Sequence, residues 1–252
     1  MLEAEIVRRR KDRDILLMAH IVLGYPSLEG SREIVAQMVE AGVDLIELQI
    51  PFSEPIADGP VILHANQAAL RAGTTVDRCV ALAGELAQAY PIPFLFMTYY
   101  NIVWKRGIER FARETRAAGL TGAIVPDVPY EEGEALLAAF AAEQIAPVFI
   151  FAPTTSDARM QQIAARARGF VYCVARKGVT GAATDFAALG SYLERCRRAT
   201  PLPLALGFGV KDRADVAAIT GQVDIAVIGS ETIRVVETRG VRAVGPFLRG
   251  LR

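Results

Sequence analysis

The sequence predicts an α/β fold: a single (β/α)8 TIM barrel with extra helices, one domain over residues 1–252. Three observations predict it. Eight short apolar runs alternate with amphipathic helical segments. Most of those runs are nearly continuous in apolar residues, as parallel strands buried on both faces are. The length, 252 residues, is typical of a closed eight-stranded α/β barrel. A doubly wound open sheet is the alternative arrangement of the same pattern.

The candidate strands lie at 15–23, 44–51, 92–100, 122–127, 146–153, 169–175, 202–210 and 224–230. Helical stretches at 31–41, 107–118, 131–143, 157–167, 186–198 and 212–220 carry apolar residues at three-to-four spacing. The long connection from Phe52 to about Pro91 holds a loop and two more helices, 61–71 and 76–90. Gly42 and Gly119 each follow a helix and precede a strand. A glycine there supplies the left-handed residue that turns the chain back. No linker or low-complexity segment divides the chain.

Composition bounds the function. The chain is 52% hydrophobic and 22% charged, with 28 basic against 28 acidic residues. A net charge of zero gives no general field for nucleic acid or an anionic membrane. Cys79, Cys173 and Cys196 form no CxxC pair and read as reduced thiols of a cytoplasmic protein. With only His20 and His64 in the chain, no metal site is expected. The charged N-terminus, through Asp14, does not read as a signal peptide. The longest uncharged run, 86–104, contains Pro91 and Pro93 and is a poor membrane span.

Active sites of this fold lie at the C-terminal ends of the strands. Alternation along the second strand puts Leu45, Glu47 and Gln49 on one face and Ile46, Leu48 and Ile50 on the other. Burial of Glu47 would favour its protonated form and make it a general acid near neutrality. A structural Glu, satisfied inside the barrel, is the other reading. Asp58 follows in a proline-bounded loop, as a site carboxylate or as a helix cap. Asp127 has the same ambiguity. Gly207-Phe208-Gly209 ends the seventh strand, and Ile228-Gly229-Ser230 runs from the eighth into a helix. These are the usual phosphate-binding ends of this fold. The segment 176–183, with Gly178 and Gly181, reads as a lid.

The segment Glu47-Leu48-Gln49-Ile50-Pro51-Phe52-Ser53-Glu54-Pro55-Ile56-Ala57-Asp58-Gly59-Pro60 resembles the signature of the tryptophan synthase alpha subunit family. The resemblance runs over nearly the whole chain. Gly24-Tyr25-Pro26, Met97-Thr98-Tyr99-Tyr100-Asn101, Pro126-Asp127-Val128-Pro129-Tyr130-Glu131-Glu132, Gly178-Val179-Thr180-Gly181, Gly207-Phe208-Gly209 and Ile228-Gly229-Ser230 all fall in the family order.

The resemblance implies a carbon–carbon lyase without a cofactor. It would split indole-3-glycerol phosphate into indole and glyceraldehyde 3-phosphate. Its partner would be the tryptophan synthase beta subunit, in an αββα assembly. Glu47 is then the proton-transfer residue, and Asp58 accepts from the indole N–H. Tyr99, Tyr172, Thr180, Gly181, Phe208, Gly209, Gly229 and Ser230 would bind substrate. Phe96, Ile124, Phe149 and Phe208 are candidates for the apolar wall at the indole. The loops 52–60 and 176–186 would close over the site, the first facing the partner.

Some positions depart from the family pattern. Gln49 stands where Gly is commoner, and Glu54 where Asp is. His20 lies where an aromatic ring is expected, either as a pocket residue or as a core imidazole. Ala175 and Lys177 alter the start of the lid. Other readings are a mainly regulatory subunit that activates a beta partner, a stand-alone lyase, and a Schiff-base aldolase using Lys177 as its amine.

Overall fold

The computed structural model describes residues 1–174, 186–207 and 209–252. Eight parallel strands close into a barrel in sequence order. In chain order the elements begin with α1 (Leu2–Arg10), β1 (Leu16–Val22), α2 (Leu28–Glu40), β2 (Leu45–Gln49), α3 (Pro60–Arg71) and α4 (Val76–Ala89). Then come β3 (Phe94–Met97), α5 (Tyr100–Arg106), α6 (Ile108–Ala117), β4 (Gly122–Ile124), α7 (Glu134–Ala142) and β5 (Ala146–Phe151). The chain continues through α8 (Asp157–Arg166), β6 (Val171–Val174), α9 (Phe186–Ala199), β7 (Leu204–Gly207), α10 (Arg213–Ile219) and β8 (Ile225–Ile228). It ends with α11 (Ser230–Arg239), a short 3-10 turn (Val241–Ala243) and α12 (Val244–Arg249). Each predicted strand is present, trimmed at its ends where the chain leaves the ladder.

The pairing of β1 with both β2 and β8 closes the sheet. Closure gives every strand an inner and an outer face. Leu16 and Met18 of β1, Leu45 of β2, Leu95 of β3, Val148 of β5 and Val227 of β8 pack in the interior cluster. Their neighbours Leu17, Ile46, Phe96, Phe151 and Ile228 pack under the helices.

Helix starts follow local chemistry. Ser27, Thr75, Ser156 and Asp212 cap α2, α4, α8 and α10 by accepting from a backbone N–H. Pro60 opens α3, where its missing N–H costs nothing. Gly42 and Gly119 have φ of 80° and 81°, the left-handed conformation expected of them.

The N-terminal helix α1 has no counterpart in the sequence-based element assignment, because its charged face hides two apolar residues. Leu2 and Ile6 are buried in the interior cluster. A Cβ at Gly169 would lie 2.8 Å from Leu2 Cδ2, so α1 fits tightly against the N-terminal end of the barrel. Asp44, 1% exposed, accepts from the backbone N–H of Leu17 at 2.9 Å and pairs with Arg13 and Arg252. It ties the start of β2 to β1 and to the C-terminus.

Phe111 of α6 is fully buried, with ring centroids 5.9 Å from Phe96 and 6.5 Å from Phe140. Phe111→Ala is expected to cost about 3–5 kcal/mol. Urea unfolding should show a lower midpoint with the same slope.

Candidate active site

The loop between β2 and α3 is built to hold Asp58. Phe52 N–H donates to Asn66 Oδ1 at 2.8 Å, and Asn66 in turn donates to Ile62 O, anchoring the loop to α3. Asp58 N–H donates to Pro55 O at 2.9 Å, closing a turn. The Asp58 carboxylate does not cap α3, whose N-cap is Gly59 with no side-chain bond. Instead Asp58 Oδ2 accepts from Gln49 Nε2 at 2.7 Å and from the Tyr99 hydroxyl at 2.9 Å. Burial raises its pKa, against the lowering influence of His20, Gln49 and Tyr99.

Glu47 projects inward from β2, 4% exposed. Its Oε1 lies 3.2 Å from Nδ1 of His20, its register partner on β1. An open cavity at the C-terminal end of the barrel is lined by His20, Glu47, Asp58, Tyr172, Gly209, Gly229 and Ser230. Its apolar wall comes from Ile62, Met97, Ile124, Ile150 and Val227. Lys211 and Arg234 also line it, with Arg234 held by Glu231 at 2.9 Å. The carboxylates of Glu47 and Asp58 and the ends of β7 and β8 therefore border one cavity.

The sequence model of the tryptophan synthase alpha chain family matches residues 7–244. The chain belongs to the tryptophan synthase alpha chain family. It is 61% identical to the tryptophan synthase alpha chain of Syntrophotalea carbinolica and 59% identical to that of Desulforapulum autotrophicum, each over the whole of both chains. Its fold matches a chain of tryptophan synthase from Mycobacterium tuberculosis with a TM-score of 0.93 at 31% identity, covering 99% of this chain and 96% of that one. A chain of the α2β2 complex from Pyrococcus furiosus matches with a TM-score of 0.88 at 29% identity, over 94% and 97% of the two chains. The enzyme is a carbon–carbon lyase of tryptophan biosynthesis. It cleaves indole-3-glycerol phosphate to indole and glyceraldehyde 3-phosphate.

Among the site residues expected of an alpha chain, Glu47, Asp58, Tyr172, Gly209, Gly229 and Ser230 border the cavity. Tyr99, expected at the substrate, is fully buried behind Asp58 and is not part of the cavity lining. Its hydroxyl accepts from Ala57 N–H at 3.1 Å while donating to Asp58, so it fixes the loop. Thr180, Gly181, Phe208, Ala175 and Lys177 lie outside the described residues.

The expected indole wall needs correction. Ile124 lines the cavity, but Phe96 and Phe149 pack on the outer face of the sheet. Alternation explains it: on β3 and β5 the inward positions are Met97 and Ile150. Asp127 accepts from Tyr100 N–H at 2.9 and 3.1 Å, at the start of α5, which gives it a structural role. His64 is exposed and bonded to Glu237. The sequence reading missed Lys211 and Arg234, because neither lies in a motif with a fixed spacing. Among the described residues no cluster of His, Cys, Asp and Glu could hold a metal, and no helix is long and apolar enough to cross a membrane.

Tyr172 reaches the cavity over Gly207. A Cβ at Gly207 would lie 2.3 Å from Tyr172 Cε1 and 2.4 Å from its hydroxyl oxygen. Gly207→Ala must therefore push the ring. A ~1 Å misplacement can cost up to ~10²-fold, so kcat/KM is expected to fall by about 10- to 100-fold. Steady-state kinetics checks this, with circular dichroism to confirm that the fold is kept.

Proposed function

We propose that Glu47 and Asp58 divide the acid–base work of the lyase reaction. The carbon–carbon bond breaks only when the indole ring can accept its electrons. Protonation at ring carbon C3 creates that sink. Glu47 is the proton donor in this reading, and its position on the cavity wall supports it. Asp58 accepts from the indole N–H and stabilises the positive charge that develops there. Its held orientation, between Gln49 and Tyr99, suits that task. Glu47, after giving up its proton, takes the hydroxyl proton as the aldehyde forms.

The phosphate end falls to Gly209, Gly229 and Ser230. Gly229 is the N-cap of α11 and makes no side-chain bond there, so the first amides of the helix have no side-chain acceptor from that position. Free N–H groups and the helix dipole favour an anion. Lys211 adds positive charge on the same wall, where Arg234 is paired with Glu231. Tyr172 packs beside the bound ring, and Thr180, Gly181 and Phe208 complete the pocket as the family resemblance implies.

The partner is the tryptophan synthase beta subunit, in an αββα assembly. Ile56, in the catalytic loop, is 73% exposed, and Trp104 on α5 is 67% exposed. Both follow the C-terminal ends of the adjacent strands β2 and β3, where a partner could cover them together with the loop that carries Asp58. Residues 1–252 work as one domain. The place of work is the cytoplasm, which suits three buried cysteines without disulfides.

The observation that carries this reading is the shared cavity of Glu47, Asp58 and the β8–α11 junction. Indole release from indole-3-glycerol phosphate, with and without the beta subunit, tests it. Glu47→Gln removes the transferable proton and little volume. It is expected to lower kcat by ~10²–10⁴-fold with KM nearly unchanged. Retained turnover would reject Glu47 as the acid.

Ser230→Asp puts a negative charge at the helix N-terminus. It is expected to raise KM by about tenfold or more, equivalent to about 1.4 kcal/mol of lost binding. Inhibition by inorganic phosphate should weaken in parallel.

A further inference from the structure

Glu47 and Asp58 are not separate groups in this barrel. His20 of β1 and Glu47 of β2 are register partners, and their side chains are each 5% exposed, with Nδ1 and Oε1 3.2 Å apart. Two positions further along β2, Gln49 also points inward and is fully buried. Its amide donates to Asp58 at 2.7 Å. Three polar atoms of this group, His20 Nε2, Glu47 Oε2 and Gln49 Oε1, are buried without a hydrogen-bond partner. A buried polar atom without a partner is costly to keep, because it has given up water and gained nothing. His20 and Glu47 line the cavity, so two of these atoms belong to groups kept ready for something that enters.

We propose that His20 is a positioning residue for the lyase step. It holds Glu47 Oε1 and keeps one transferable proton on the His20–Glu47 pair at neutral pH, while Gln49 does the matching work on Asp58. The proposal deepens the reading of Glu47 as the proton donor and rests on it.

The proton balance is simple. The pair holds one proton beyond neutral imidazole and carboxylate. Placed on Glu47 Oε2, it leaves His20 Nδ1–H donating to Oε1. In this form Oε2 protonates ring carbon C3. The carboxylate left behind keeps the His20 hydrogen bond. It then takes the substrate's hydroxyl proton as the carbon–carbon bond breaks and its electrons return to the indole ring. One proton is given and one is recovered, so the pair ends as it began.

The surroundings favour a loaded pair. Burial opposes a charge on His20, but the carboxylates of Glu47 and Asp58 outweigh it and raise the ring's pKa above the ordinary imidazole value. Tyr172, across the barrel on β6, stays neutral, because burial and the two carboxylates hold its pKa high. β8 offers no titratable group beside the ring. Glu231 and Arg234 of α11 pair with each other. His64 of α3 points out to Glu237, and Glu29 and Arg32 of α2 pair at the surface.

The test uses the full chain. His20→Asn keeps an amide donor near the Nδ1 position but cannot carry a proton. The alkaline limb of kcat/KM against pH should move towards acid by about one unit or more, since ordinary His and Glu values are ~6.5 and ~4.3. KM should stay nearly unchanged. A limb that stays in place overturns the proposal.

A second measurement does not need that variant to fold. The chain has only two histidines, so His64→Gln leaves His20 as the single signal in a 15N-histidine spectrum. Its titration midpoint should lie above the ordinary imidazole value and fall by about a unit when Glu47→Gln is added. A midpoint unmoved by Glu47→Gln overturns the pairing. The two readings fail differently. Turnover retained in Glu47→Gln rejects Glu47 as the acid. Loss of turnover in Glu47→Gln, together with an unmoved limb in His20→Asn and a His20 signal unmoved by Glu47→Gln, rejects only the role of His20.

Discussion

Closure of the sheet between β1 and β8 is the constraint on which the rest depends. An open sheet would leave its edge residues to the solvent. A closed one encloses every second side chain of every strand. His20, Glu47 and Gln49 therefore have no route to bulk water except the cavity at the C-terminal end. In that setting each needs a partner: His20 and Glu47 take one another, and Gln49 takes Asp58. The chemistry of the site follows from a topological fact about the backbone.

Polarity is graded along the barrel axis. At the N-terminal end the inward positions are Leu16, Met18 and Leu45, sealed by Leu2 and Ile6 of α1. Further along the same two strands come His20, Glu47 and Gln49. The apolar floor keeps the local dielectric low, which strengthens every charge interaction above it. It also makes an unpaired charge costly, which is why the two carboxylates are tied to His20, Gln49 and Tyr99 rather than left free.

The cavity is asymmetric in a way that suits a substrate with an apolar ring and an anionic tail. Met97, Ile124 and Ile150 offer a wall without hydrogen-bonding groups, whereas the ends of β7 and β8 offer backbone, Lys211 and Arg234. Binding energy gained at the phosphate can hold the ring where proton transfer is possible. The loop that carries Asp58 stands between these two regions and the outer surface. Its anchors combine hydrogen bonds, Phe52 to Asn66 and Ala57 to Tyr99, with packing of the Phe52 ring on Tyr99, whose centroids lie 5.2 Å apart.

Much of this protein could be read from the order of its residues. Continuous apolar runs between amphipathic segments determined eight parallel strands, because buried strands and surface helices impose different periods. Alternation placed Leu45, Glu47 and Gln49 on one face of β2, and closure of the barrel made that face the inner one. Helix α1 was hidden, since two apolar residues among many charges acquire meaning only when they meet the end of a barrel. The wrong wall residues, Phe96 and Phe149, came from choosing aromatic rings over strand parity. The joining of His20 to Glu47, and of Gln49 to Asp58, was decided by tertiary structure. His20 and Glu47 are separated by a helix, and the register of β1 on β2 makes them neighbours, whereas the fold of the loop after β2 brings Asp58 back to Gln49. Sequence determines which groups are available and which way they face. Distance, and therefore hydrogen bonding and the sharing of a proton, is set when the strands lock into register.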